Sequence, residues 1–404
     1  MNIETSFHKR KRNALLKQLQ SGEIAVITSS SMAWKSADQF YPFRQDSNFR
    51  YLTGLKNLTP SILILSASPF AGSHEILVIP RPDPVKSQWD GSQPDKSNLE
   101  EFSTVLYFDE FESKMTRFFS SRSVVLLNIP EHDFRLIYHP AHDFLQKLKT
   151  SFPLIKTGSL LPYLTSLRII KDSYEINCLK QAIAVTGKGI AAMRKAVKHA
   201  VRENELEAEF RSTLLKNEIH ELGYEPIIAS GKNATILHYR ENRSPIPNKS
   251  LILTDVGAEY NGYTADVTRV FPKSEPTKKQ TKMHEAVLRT NKQLIEMVRP
   301  GIVYQTLNVI AKELLTEEAL KLKLIRKKEE IGKVYMHRVS HFLGLDVHDL
   351  GDYDQTLKPG MVITIEPGLY STTDSCGIRI EDDILITDSG SENLTHLISK
   401  ELHP

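Results

Sequence analysis

Two apolar, β-branched runs, LILTDVGAEY and YTADVTRVF, meet at Asn261-Gly262. Asn-Gly between such runs is the strongest short hairpin signal, because the tight two-residue turn needs a positive φ at both central positions. That turn dictates a register in which Tyr260 faces Tyr263 and Asp255 faces Thr268. Asp266 lies two residues before Thr268, so it shares a face with Asp255. The two acids are then diagonal neighbours, about 7–8 Å apart at the backbone and closer at their tips. Both could grip one ion. Read alone, the pair fits equally well two solvent-facing acids on an exposed hairpin.

Three further segments shift that balance. In VITIEPGLY the strand carrying Glu366 is stopped by Pro367-Gly368. In GIRIEDDILIT, Arg379 and Glu381 share one face while Ile378 and Ile380 share the other. In SHFLGLDVHDLG, His341 and His348 frame an apolar, glycine-containing loop. Carboxylates are rarely buried unless paired or metal-bound. Asp255, Asp266, His341, Glu366 and Glu381 sit at the ends of apolar segments, and two divalent cations would cancel the four carboxylates.

The order Asp, Asp, His, Glu, Glu and the flanking words ASGKNATILHY, TDVGAEYNGYTADVTR, SHFLGLDVHDLG, TIEPGLY and GIRIEDD resemble the pita-bread metallopeptidases. The resemblance is strongest to the Xaa-Pro aminopeptidases (aminopeptidase P), with prolidase as the near relative. It runs through roughly residues 172–404 and extends upstream through FRQDSNFRYLTGL and the Trp89 segment. It implies an α/β N-terminal domain followed by an α+β pita-bread domain, and a metal-dependent exopeptidase that cleaves between an N-terminal residue and a following proline. The sequence itself supports only α+β for the second part.

An amide is a poor electrophile and neutral water a poor nucleophile. Two ions about 3.5–4 Å apart can share one water, lower its pKa and stabilise the attacked oxygen. A carboxylate-heavy donor set with one imidazole suits hard ions such as manganese, with cobalt, zinc or iron able to bind. The resemblance implies manganese or cobalt, hydrolysis by the hydroxide the ions share, and Glu366 as its proton acceptor. It also implies that His238 and His348 bind substrate and stabilise the tetrahedral intermediate. Arg379 could orient a carboxylate ligand; a surface ion pair is the blander alternative. His337, Tyr370 and Tyr224 match substrate-pocket positions, Tyr224 at the wall. Trp89 matches a tryptophan that reaches a neighbouring subunit's active site, against the alternative of a side chain folded onto its own domain.

At 404 residues two domains are the natural expectation, with a boundary near SLRIIKDSYEI: 1–165 and 166–404. A net charge of +3 is mild, and HKRKR at residues 8–12 reads as a solvated first helix rather than a nucleic-acid patch. Two cysteines, Cys178 and Cys376, offer no disulfide framework and fit a reducing compartment. No apolar leader core or membrane-length run is present, so a soluble cytoplasmic protein is expected. The expected partners are peptides with proline second and further copies of the chain, as a homodimer or homotetramer, with neither nucleic acid nor membrane.

Along the chain, EIAVITSS, SILILS, HEILVIP, VLYFDEF and SVVLLNI read as strands alternating with helices. RPDPVKSQWDGSQPDKS reads as a loop carrying an exposed Trp89. Asp172 and Glu175 make a capping box for a long helix. A second helix is expected over 203–222 with Gly223 as its C-cap, then GYEPIIASGKNATILHY as strand, turn and strand, then helices ending at 299–301 and spanning 304–324.

Three other readings compete. A prolidase would carry the same ligands and act on X-Pro dipeptides. A ligand-free binding module of histone-chaperone type is disfavoured by the complete ligand set and by the lack of a long acidic tail. Creatinase-like chemistry needs no metals and is disfavoured likewise.

Overall fold

The chain changes unit at the end of helix Leu161–Arg168: one unit is Met1–Leu167, the other Arg168–Pro404. The computed structural model describes residues 3–70, 73–119, 123–130 and 139–402.

In the first unit a six-stranded mixed sheet runs in the order Val105–Tyr107, Ser73–Ile79, Ile62–Phe70, Glu23–Thr28, Val124–Leu127, Lys156–Ser159. Glu23–Thr28 sits inside it, antiparallel to Ile62–Phe70 and parallel to Val124–Leu127. Its alternation splits the core. Ile24 and Val26 pack with Phe111 and Phe144 from helices Phe108–Phe118 and Pro140–Ser151, while helix Ile3–Gln18 packs on Ile62–Phe70. That first helix is not simply solvated. His8 and Arg12, inside the HKRKR run, are buried, and Arg12 Nε pairs with Glu75 at 3.0 Å. Trp89 lies on a short helix, Pro84–Asp90, rather than in a loop; Asp83 caps it and Pro84 opens it.

The second unit is α+β. Leu251–Val256 pairs antiparallel with Val267–Pro272 and with Ile227–Ser230. Asp255 stands opposite Thr268 and Tyr260 opposite Tyr263, with Asn261 and Gly262 at φ 50° and 91°. Val362–Ile365 pairs with Asp382–Ile386, and Gly368–Ser371 with Cys376–Arg379. Helices Lys278–Met297 and Tyr304–Lys321 cover these strands, Val287 and Leu315 against Ile378 and Ile380, Leu294 and Leu307 against Ile363 and Ile384. The long helix Ser173–Ala196 starts at the Asp172–Glu175 capping box.

The next helix is shorter than expected. It runs Glu203–Lys216, caps at Asn217, and is closed by Glu218 at φ 61°. Gly223 is not its cap: a Cβ there would lie 1.6 Å from Thr264 Oγ1, so the glycine serves a close approach. After Ile227–Ser230 the chain forms a 3-10 turn, Gly231–Thr235, and no second strand follows over 236–240.

Candidate metal centre and catalytic cavity

Asp255, Asp266, His341, Glu366 and Glu381 line one cavity of about 410 Å³. Each is delivered by a different backbone event. Asp255 comes from a central strand, Asp266 from the return arm of the Asn-Gly hairpin, and Glu366 from the residue after Val362–Ile365. Glu381 occupies the break between Cys376–Arg379 and Asp382–Ile386. His341 is held in a loop whose backbone N–H donates to Thr364 Oγ1 at 3.1 Å.

The imidazole is the focus. His341 Nε2 lies 3.3 Å from Asp266, 3.6 Å from Glu366 and 3.9 Å from Glu381. Its other nitrogen, Nδ1, is 3.1 Å from the Phe342 carbonyl and must donate to it. Nε2 therefore turns its lone pair, or a proton, toward three carboxylates. Burial opposes charge on the ring, yet Asp266 and Glu366 raise its pKa to about 9. Among the described residues, Asp266, His341 and Glu381 each offer a ligand atom, all within 4.8 Å of one another.

Three of the carboxylates, Asp266, Glu366 and Glu381, are too deeply buried to ionise readily by themselves. Burial pushes Glu366 up to about 7 against the opposing charges of His341 and Arg379, pushes Glu381 well above the carboxylate range with the charges of Asp266 and Glu366 adding to it, and raises Asp266 as well. The Tyr224 hydroxyl sits 2.6 Å from both Asp255 and Asp266. It has one hydrogen, so it can donate to only one of them. Positive charge among these oxygens removes both conflicts, and oxygen donors with one imidazole are the set that hard divalent ions take. The donor set fits a metal pair.

Arg379 is buried, not a surface partner. Its guanidinium donates to Asp255 Oδ2 at 2.5 Å, to Thr268 Oγ1 at 3.0 Å and to the Tyr370 hydroxyl at 3.1 Å. Thr268 in turn donates to Glu381 Oε2 at 2.7 Å. Tyr370 and His337 are joined at 2.8 Å through Nε2, and His337 Nδ1 donates to the Arg338 carbonyl at 2.6 Å. Burial, reinforced by Arg379, lowers the His337 pKa to about 4.

His238 and His348 also line the cavity, both exposed, with the His348 ring 4.4 Å from that of His341. Although it reaches solvent, the His348 ring is partly desolvated against the cavity wall, and that, with the charges of His341 and His238, lowers its pKa to about 4. Asp349, beside it, is locked by Arg168 at 2.5 Å and Lys171 at 3.0 Å. Trp89 belongs to the first unit and is 84% exposed, so it is not folded onto its own domain.

Sequence reasoning missed Thr268, Asp349, Arg168 and Asp383. Asp383 is fully buried and accepts the Asp266 N–H at 3.2 Å. Thr268 carried one signal, its predicted position opposite Asp255.

Residues 177–388 match metallopeptidase family M24, and residues 8–127 match the aminopeptidase P N-terminal domain. The Xaa-Pro aminopeptidase of Escherichia coli is 30% identical, covering 97% of this chain and 95% of its own. A Bacillus anthracis protein assigned as an aminopeptidase P superposes with a TM-score of 0.92 at 37% identity, over 98% of this chain and 96% of that one. The zinc-substituted Escherichia coli aminopeptidase P in complex with product gives 0.86 at 30% identity, over 100% and 97%. With the family profile spanning more than half of its length, the chain belongs to metallopeptidase family M24.

Proposed function

We propose that this metallopeptidase is an Xaa-Pro aminopeptidase, removing the N-terminal residue that precedes a proline. The observation that carries the reading is the convergence of His341 Nε2 with three carboxylates in a cavity already lined by a fourth. The proline preference is supported by the relatives' names alone.

In this reading Asp255, Asp266, His341, Glu366 and Glu381 hold two divalent ions, manganese by preference. The ions would polarise the scissile carbonyl and acidify a water shared between them. The protein's own groups do the rest. Glu366, on the cavity lining, accepts the water's proton and returns it to the leaving nitrogen. His348 and His238, on the cavity wall, donate to the oxygen on which negative charge develops. Arg379 pairs with Asp255 and keeps its carboxylate aimed. Tyr370 and His337 shape the pocket, and Trp89 contacts substrate from another copy of the chain in a homodimer or homotetramer. Among the described residues no helix is long and apolar enough to cross a membrane. Cys178 and Cys376 form no disulfide with each other, which supports a cytoplasmic setting.

The test is elemental analysis joined to a peptide panel. The protein should bind two equivalents of metal and release the first residue of X-Pro-Pro peptides only when metal-loaded. A protein that hydrolyses only X-Pro dipeptides would instead be a prolidase, and full activity without metal would sink the proposal.

A further inference from the structure

Two guanidinium groups share the catalytic cavity and take no part in the mechanism above. Arg240 and Arg338 both line the 410 Å³ space that holds the acidic cluster. Most buried arginines here are committed: Arg168 to Asp346 and Asp349, Arg269 to Asp382, Arg379 to Asp255. Among the described residues neither Arg240 nor Arg338 has a side-chain hydrogen bond or ion pair. Arg338 Cζ lies 5.1 Å from the Tyr353 ring centre.

Charge balance makes this unusual. In the function proposed above, the four carboxylates on the cavity floor would be neutralised by two divalent ions. Arg379 is paired with Asp255. Glu225, the other acid on the lining, is taken by Arg211 at 2.9 Å. The working cavity is then left with a surplus of positive charge, and Arg240 and Arg338 are the part of it that is exposed at the rim.

Both arginines stand on anchored backbone. Tyr239 is buried between His238 and Arg240, and its hydroxyl donates to Glu203 at 2.8 Å. With the middle residue pinned inward, its two neighbours lie on the cavity side. Arg338 is held from both flanks: its carbonyl accepts from His337 at 2.6 Å, and the Val339 N–H donates to Asn308 at 2.9 Å. The ring of Tyr353, also on the lining, restricts its guanidinium further. A planar fork held this way matches a carboxylate in two-point geometry. The cavity has the size of a small-ligand site, so the matching carboxylate must lie within a residue or two of the scissile bond.

We propose that Arg240 and Arg338 form a carboxylate-binding rim, so that the enzyme selects peptides carrying an anionic group close to the proline. The group is either the free C-terminus of a short peptide or an acidic side chain. The idea rests on the function proposed above and narrows its substrate class.

Four peptides test it: X-Pro-Gly as free acid and as amide, and the amides X-Pro-Glu and X-Pro-Gln. The metal-loaded enzyme should favour the anionic member of at least one pair by about tenfold in kcat/KM, the worth of one charge-assisted hydrogen bond at a half-solvated site. The ratio should shrink as salt rises. A preference in the first pair assigns the C-terminal carboxylate; one in the second assigns the side chain. The double variant Arg240→Gln, Arg338→Gln should bring the ratio close to one. Equal treatment of both pairs by the unmodified enzyme, or a preference that survives in the double variant, overturns the proposal. If none of the four is hydrolysed, the aminopeptidase reading fails by itself. The anionic preference is then read by calorimetric binding of the same peptides, with the same two outcomes deciding it.

Discussion

Thr268 donates its only hydroxyl hydrogen to Glu381 Oε2 at 2.7 Å, the direction that an ionised Glu381 requires. Arg379 Nε can only donate, and it occupies the acceptor side of the same hydroxyl at 3.0 Å. Thr268 therefore hands the influence of Arg379 on to Glu381, while another arm of that guanidinium grips Asp255. One arginine disciplines two of the proposed ligands, one directly and one through a threonine on the facing strand.

Replacing Thr268 by valine keeps the shape and deletes the relay. Thr268→Val should weaken metal binding about 10–100-fold, the usual cost of losing a group that orients a ligand. Thr268→Ser should restore it. Calorimetric titration of the metal-free protein reads this without any turnover assay. If valine binds metal as tightly as threonine, the hydroxyl is mere packing.

A second line of hydrogens runs from Arg379 to His337. The Arg338 carbonyl forces a proton onto His337 Nδ1, which leaves Nε2 as an acceptor and makes Tyr370 its donor. Tyr370 in turn accepts from Arg379. Tyr370→Phe and His337→Ala should each lower kcat/KM, but the double variant should cost less than the two combined, by about 0.5–3 kcal/mol of coupling. Strict additivity would mean that the two side chains meet the substrate separately.

The hairpin was legible because its chemistry is local: Asn261 and Gly262 announce a positive-φ turn, and the register Asp255 to Thr268 follows by counting. The convergence of acids on His341 was legible from residue types at strand ends. What escaped depends on distant partners. Gly223 looked like a helix cap, but it is there to admit Thr264 from the hairpin. Thr268 and Asp383 look like ordinary strand residues until Glu381 and Asp266 are brought beside them. The helix under Trp89 was readable and was missed, for Asp83-Pro84 is a cap followed by a first-turn proline.

Asp349 ties the His348 loop to the start of the second unit. It is 5% exposed and holds two buried cations, Arg168 and Lys171. Gly344 is required beside it, since a Cβ there would stand 2.1 Å from Asp349 Oδ2. Asp349→Ala takes the carboxylate from buried Lys171 and leaves Arg168 with Asp346 as its acid, which should cost about 3–5 kcal/mol. Urea unfolding followed by circular dichroism measures it. A loss under 1 kcal/mol would show that water reaches Arg168 and Lys171 readily.

Acid should loosen the first unit through His8. This ring is 8% exposed, its Nδ1 donates to the Tyr51 carbonyl at 2.8 Å, and a Cβ on Gly54 would lie 2.6 Å from its Cδ2. Burial lowers its pKa from 6.5 to about 4, the Tyr51 bond opposing. The unfolded chain takes up a proton below pH 6.5, whereas the folded one resists until about pH 4. The unfolded state thus binds more protons across that window, so stability present above pH 6.5 is lost as pH falls toward 4. The loss attributable to this ring is about 3 kcal/mol at most. A variant with an uncharged side chain, His8→Gln, keeps a donor for Tyr51 and cannot titrate. Its urea midpoint should fall less than that of the unmodified protein between pH 7 and pH 4.5, and parallel curves would show that the ring charges freely in the folded state.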